Sequence, residues 1–423
     1  MYQKTRLSNG LRVVTKDMRE RDSVAVGLWI GGGGRHEEDR VKGVAHFLEH
    51  IAFKGSAKYS CDEIKELIEG VGGALNAFTS EEQTCYYAKI PAQHISRTFD
   101  ILADMVFFPD MTRKDVVKER SVIVEEIKMY HDLPQYYVLD LLDGLVWPNH
   151  PLGKNLAGTP ETVSAMTSED LRQFHHRHYT MGNAVIAACG KVSHKDFVEL
   201  AERKVKKLAV SDGVAVIPAN NAQEAPRVNF NRRETEQMHL ALGMLGLEND
   251  HPDRYALNLL NIILGGNMSS RLFDEVREKR GLAYSISSSL KYLKDTGMFM
   301  IRAGVDNKKL VKAVDVILKE LKKIRHSGVT EDEFRRSRDY YLGQILLGLE
   351  DTLDHMLWIG ESVLMRDRIR TLDEIIKLVK KVKREDIRRV ANDILRENRF
   401  NLAVVGPMDK SQDKALKNLV GVS

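Results

Sequence analysis

Apolar residues recur with a period near two in short runs and near 3.6 in longer ones, so the chain reads as strands interspersed with long helices. Strands are predicted at 11–15, entered through the Asn9-Gly10 turn signal, and at 24–30. Helices follow at about 42–53 and 60–70, then strands at 74–79 and 84–90, then helices at 95–107 and 113–130. A later unit runs helix 168–178, strand 183–189, helix 194–206. The segment SDGVAVIPANNAQEAP at 211–226 breaks this rhythm and reads as a linker. Beyond it the order restarts, with a strand at 238–245, a helix at 252–264, strands near 283–291 and 297–303, and helices at 307–326 and 331–349.

The restart is a repeat. Asp39-Arg40 corresponds to Asp253-Arg254 at an offset of 214, which also lays VGLWI at 26–30 on LALGM at 240–244. An internal duplication explains this and predicts two related domains, 1–212 and 227–423, joined by a linker at 213–226. The expected class is α+β, each domain a mostly antiparallel sheet with helices packed on one face. One difference between the copies stands out. His46, Glu49 and His50 fall on Leu260, Ile263 and Leu264. The second copy of that helix is simply apolar, so packing alone does not explain the polar trio in the first.

Bulk properties narrow the classes of function. A chain of 423 residues with 43% hydrophobic and 29% charged residues is that of a soluble globular protein of two or more domains. The net charge of +4 is near balance and no basic stripe carries interleaved aromatics, so nucleic acid is not expected as a partner. No window approaches the roughly 18 apolar residues of a membrane span. Cys61, Cys85 and Cys189 have no CxxC spacing and fit a reducing compartment. The start MYQKTRLSNGLRVV has no signal-peptide pattern, which points to a bacterial cytoplasm, or to an organelle if that start is a processed one.

The trio lies in GVAHFLEHIAFKG at 43–55. Residues four apart share a helix face, so His46 and His50 can both reach one metal ion, with Glu49 beside it to hold a water. This order, H-x-x-E-H, is the inverzincin signature. The plainer alternative is two core histidines satisfied by backbone carbonyls, with Glu49 paired to Lys54 or Lys42. A third ligand is sought in VKERSVIVEEI at 117–127. Glu125 shares a helical column with Lys118, Ser121 and Lys128, a solvated face, whereas Glu126 shares one with Glu119, Val122 and Ile123. That half-buried column favours Glu126 as ligand, with Glu119 orienting an imidazole. An ordinary solvated Glu-rich helix is the alternative. The glycine-rich IGGGGRHEEDR at 30–40 lacks the Lys-Ser/Thr of a phosphate loop and reads as a wide turn. FHHRHY at 174–179, with no paired carboxylate, is not read as a metal site, and KKVKR and KELKK are solvated helix faces.

Taken with RLSNGLRVV, GGALNAFTSEEQTCYYAKI, ERSVIVEEIKMY and LGGNMSSRLFDEVREKRGLAYSISS, these motifs resemble the pitrilysin-type zinc peptidases over essentially the whole chain. Within that family the likeness is to the mitochondrial processing peptidase and its bacterial relatives. The resemblance implies zinc held by His46, His50 and Glu126, Glu49 as catalytic base and Glu119 as accessory carboxylate. It also implies substrate binding by Arg277 and Tyr284, and an edge strand carrying Asn76 and Ala77 on which a peptide lies as an added strand. Read without the family, Arg277 is a surface helix residue and Tyr284 a strand residue half in the core. The implied activity is endopeptidase hydrolysis of extended, unstructured peptides in a closed chamber. A non-catalytic peptide-binding or structural subunit is the alternative. Each domain would be a doubled α+β unit, and the chain half of a clamshell. A partner is therefore expected, either a second copy or a related subunit.

Overall fold

Alternating burial along its strands organises the chain into two sheets in the computed structural model, which describes residues 2–205, 210–211 and 213–422. Position 206, the end of one expected helix, and position 212, the expected domain end, lie outside the described residues. The first sheet contains β1 (Tyr2–Arg6), β2 (Arg12–Asp17), β3 (Ser23–Ile30), β4 (Ala74–Thr79), β5 (Thr84–Pro91) and β6 (Ala184–Gly190), in the order β1-β2-β6-β3-β5-β4. The second contains β7 (Arg227–Arg232), β8 (Met238–Leu245), β9 (Ala283–Tyr292), β10 (Gly297–Val305) and β11 (Asn401–Gly406), in the order β7-β11-β8-β10-β9. Apart from the added edge strand β1, the two orders correspond strand for strand. The correspondence extends to the pairing: β2–β6 and β7–β11 are parallel and the remaining pairs antiparallel. This is the expected duplicated α+β architecture.

Both faces of the central strands are covered. Along β3, Val24, Val26, Leu28 and Ile30 enter the main core beneath the helical layer, while Ala25 and Trp29 face the other way. The opposite face is covered by a single helix, Thr352–Arg366, whose Met356, Ile359 and Val363 join that second core. Small residues permit its approach. A Cβ on Gly27 would lie 2.6 Å from Met356 Sδ, and one on Gly360 would lie 2.0 Å from Trp29 Nε1. The second sheet repeats the arrangement with helix Pro134–Val146, whose Leu142 packs against Gly243. Near-continuous apolar runs such as VAVGLWI follow from this two-sided burial.

Two compact units result, one formed by Met1–Ile127, Asn155–Ile217 and Leu346–Arg370, the other by Lys128–Lys154, Pro218–Ile345 and Thr371–Ser423. A single cut near 212–226 does not describe them, because each half of the chain supplies the helix that covers the outer face of the other half's sheet. Residues 213–226 themselves form neither helix nor strand. Among the described residues, no helix is long and apolar enough to cross a membrane.

In the first unit a buried ion pair fixes the turn between β4 and β5. Arg35, with no exposed side-chain surface, donates to Glu82 Oε1 at 2.6 Å and to the Ile217 carbonyl at 2.6 Å. Removing one member of a buried pair strands the other's charge, so Arg35→Met is expected to lower stability by about 3–5 kcal/mol in urea unfolding. A change within about 0.5 kcal/mol would show that the pair contributes little.

Candidate metal centre

The helix Val44–Ala52 buries Val44, Ala45, Phe47, Leu48, Ile51 and Ala52, leaving His46, Glu49 and His50 on its half-buried side. The imidazoles lie with ring centroids 4.6 Å apart. The corresponding helix of the second unit, Arg254–Asn261 and its continuation to Gly266, buries Leu260, Ile263 and Leu264 at the matching positions. The trio is thus an addition to a helix that packs without it.

Glu126 reaches this side from the helix Arg113–Asp132. Its Oε2 lies 3.3 Å from His50 Nε2 and 3.8 Å from His46 Nε2. One ligand atom from each of the three falls within 4.8 Å of the others, the only such grouping among the described residues. Ligand atoms about 2.0–2.1 Å from a tetrahedral zinc ion are themselves about 3.3 Å apart, so the spacing suits the ion. Glu126 Oε2 is also buried without a hydrogen-bond partner of good geometry. Two imidazole nitrogens converging with this carboxylate oxygen form a donor set that fits zinc.

Glu119 is buried on the same helix and accepts from His50 Nδ1 at 3.0 Å. That bond puts a proton on Nδ1, so Nε2 is the nitrogen that faces Glu126 and would be the one to ligate a metal. Its other oxygen lies 2.7 Å from Lys54 Nζ. Burial pushes the Glu119 carboxyl up, but the bonds from His50 and Lys54 outweigh it and hold it below the usual range. At His50 burial pulls the pKa down, yet contact with Glu119 and Glu126 prevails and lifts it to about 9. His46, more enclosed and facing His50, falls to about 4. Glu49 is raised by burial, opposed by the Thr79 hydroxyl, which donates to its Oε2 at 2.5 Å.

The pairing of Glu49 with a lysine does not occur: Lys54 serves Glu119, and Lys42 lies 3.0 Å from Glu37. Glu125 is exposed with Lys118, Ser121 and Lys128, as its helical column suggested. Val122, read as part of the half-buried column, is instead exposed. Asn76 and Ala77 lie on β4, which is an edge strand, and the Ala77 N–H is taken by Asn76 Oδ1 at 2.8 Å. In the second unit, Arg277 lies over the Phe273 ring at 4.6 Å and the Tyr284 ring at 5.9 Å. Tyr284 is 76% exposed, not half in the core. His175 is half-buried with its Nε2 2.8 Å from the Val106 carbonyl, and His178 is buried against His36 and Phe174; burial depresses them to about 4 and about 3. Thr79 was not legible as a site residue, and Lys54, weighed as a partner of Glu49, serves Glu119 instead, since only the fold brings these side chains together.

Comparison with known proteins matches two family models in succession along the chain, the second beginning before the first sheet is complete. A family model described as insulinase (peptidase family M16) matches residues 12–160, and one described as peptidase M16 inactive domain matches residues 165–341. The chain is 38% identical over 409 residues to the uncharacterized zinc protease YmxG of Bacillus subtilis, covering 96% of this chain and 98% of the relative. It is 37% identical over 423 residues to an uncharacterized zinc protease of Streptomyces coelicolor, covering 99% and 92%. A protease from Helicobacter pylori has the same fold, with a TM-score of 0.90 at 23% identity, covering 96% of this chain and 99% of that one.

Proposed function

The chain belongs to peptidase family M16, the insulinase family, and from that premise we propose that it is a zinc-dependent endopeptidase acting on extended, unstructured peptides. The observation that carries the proposal is the convergence of His46, His50 and Glu126 with a carboxylate, Glu49, beside them that is not needed as a ligand. The non-catalytic alternative has one point in its favour, the "inactive domain" description. That description falls on residues 165–341, which contain none of these four residues.

In this reading His46, His50 and Glu126 hold the metal, and Glu119 fixes the His50 ring through Nδ1. Zinc, when bound, supplies Lewis acidity that makes water a competent nucleophile near neutral pH. Glu49 accepts the proton from the attacking water at its carboxylate and delivers it to the leaving amine nitrogen. Thr79, at the end of β4, holds the Glu49 carboxylate through Oε2. Thr79→Val is therefore expected to lower kcat by roughly 10- to 100-fold, the worth of a hydrogen bond to a charged group, with KM little changed. Steady-state kinetics with Thr79→Ser as the restoring variant check this; equal kcat in Thr79→Val and wild type would remove Thr79 from the mechanism.

The substrate would extend the first sheet at β4, displacing the Asn76 side chain from the Ala77 N–H. Main-chain pairing of that kind binds many sequences with modest discrimination. Arg277 and Tyr284 supply donors to a developing oxyanion or a substrate carbonyl. We place them in a homodimer, where those of one copy complete the zinc site of the other and the two copies enclose a chamber. Mixing Glu49→Gln chains with Arg277→Ala chains, each inactive alone, should then restore measurable hydrolysis. No recovery in verified mixed dimers would count against action in trans. The three unpaired cysteines support a reducing, cytoplasmic setting.

A further inference from the structure

The helix bearing His46 starts on a carboxylate from outside itself. Glu37 Oε2 accepts from the Gly43 N–H at 3.0 Å, and its Oε1 accepts from the Ala45 N–H at 2.8 Å, one residue before His46. Helix N-termini leave N–H groups unsatisfied, and a side chain at the capping position normally takes one of them. Here that position is Gly43, at φ +97°, where a Cβ would lie 2.4 Å from the Ala157 carbonyl oxygen. A local cap is therefore sterically excluded. Glu37, with no exposed side-chain surface, is in turn fixed by Lys42, whose Nζ lies 3.0 Å from Oε2 and 2.7 Å from the Gly34 carbonyl.

A buried carboxylate–ammonium pair is weak support for stability, because an apolar pair of similar volume often serves as well. What an apolar pair does not supply is two directional acceptors at the first turn of one particular helix. We propose that Glu37 is a positioning residue for the metal centre: held by Lys42, its carboxylate sets the start of the helix Val44–Ala52 so that His46 and His50 converge with Glu126. This rests on the metal-centre reading but not on peptide cleavage.

The test compares wild type, Glu37→Gln and Glu37→Gln/Lys42→Met. Glutamine keeps the length but offers one acceptor to two N–H groups and leaves Lys42 unpaired. The double variant removes that stranded charge. Zinc affinity is read by chelator competition, and ligand geometry by the visible absorption of the cobalt(II)-substituted protein. Thermal melts report stability. Both variants are expected to bind zinc roughly 10- to 100-fold more weakly, with altered cobalt bands. The double variant is expected to regain thermal stability without regaining affinity. Should Glu37→Gln fail to fold, the double variant carries the comparison. Wild-type zinc affinity and cobalt spectrum in the folded double variant would overturn the inference and leave the metal-centre reading intact. Failure of the wild type itself to bind zinc would overturn both.

Discussion

Glu49→Gln is expected to lower the kcat for an unstructured peptide by roughly 10²- to 10⁴-fold, the usual worth of a positioned general base, while zinc content stays at the wild-type level. The two halves of this result have separate causes. Zinc is retained because the converging ligand atoms come from His46, His50 and Glu126. Hydrolysis is lost because an amide has no basic oxygen to accept the proton of the attacking water. The substitution preserves volume, and the Gln oxygen can still accept from Thr79 Oγ1, which now lies 2.5 Å from Glu49 Oε2. The loss is thus not one of packing. Burial already raises the Glu49 carboxyl, in the direction that makes a carboxylate a better base. Cleavage of a quenched fluorescent peptide, with zinc measured on the same samples, checks both halves. Retained cleavage would remove Glu49 as the base, and lost zinc would make it a ligand.

Neighbouring glutamates should separate as sharply. Glu126→Gln is expected to weaken zinc by more than the roughly 10- to 100-fold that loss of an outer hydrogen-bonding partner costs, and to abolish hydrolysis with it. Glu125→Gln should leave both unchanged. The reason is helix geometry: consecutive residues point about 100° apart. Glu125 is exposed, whereas Glu126 Oε2 lies 3.3 Å from His50 Nε2. Zinc titration of the two variants in parallel reads the difference. Equal affinities would mean that a third ligand must be sought elsewhere.

The residues of this centre that could be read from sequence are those whose relation is local. His46, Glu49 and His50 are fixed by one turn of helix, and Glu119 and Glu126 by two turns of another. Their offset match to Leu260, Ile263 and Leu264 showed that the trio was an addition. Thr79 had no such signal, and Lys54 was matched to Glu49 rather than Glu119, because the contacts that define them join separate elements across 30 and 65 positions. Likewise Glu37 sat unread in a charged turn. The sheet pattern was legible in β3, β5 and β8, but β11, buried along its whole length, was not assigned as a strand. The edge strand β1, YQKTR, pairs on one side only and has no apolar period to betray it. Helices Pro134–Val146 and Thr352–Arg366 carry apolar residues at helical spacing, but which sheet each covers is a tertiary choice that periodicity does not encode. That choice interleaves the two units.

The most direct test of the central claim is stepwise addition of zinc to metal-free wild-type protein, with peptide cleavage and bound metal followed at each step. The zinc-peptidase account predicts no cleavage without metal, and activity that rises in proportion to occupancy and reaches its plateau at one zinc per chain. Full occupancy without cleavage at any point would contradict it and leave a metal-holding, non-catalytic subunit as the better reading.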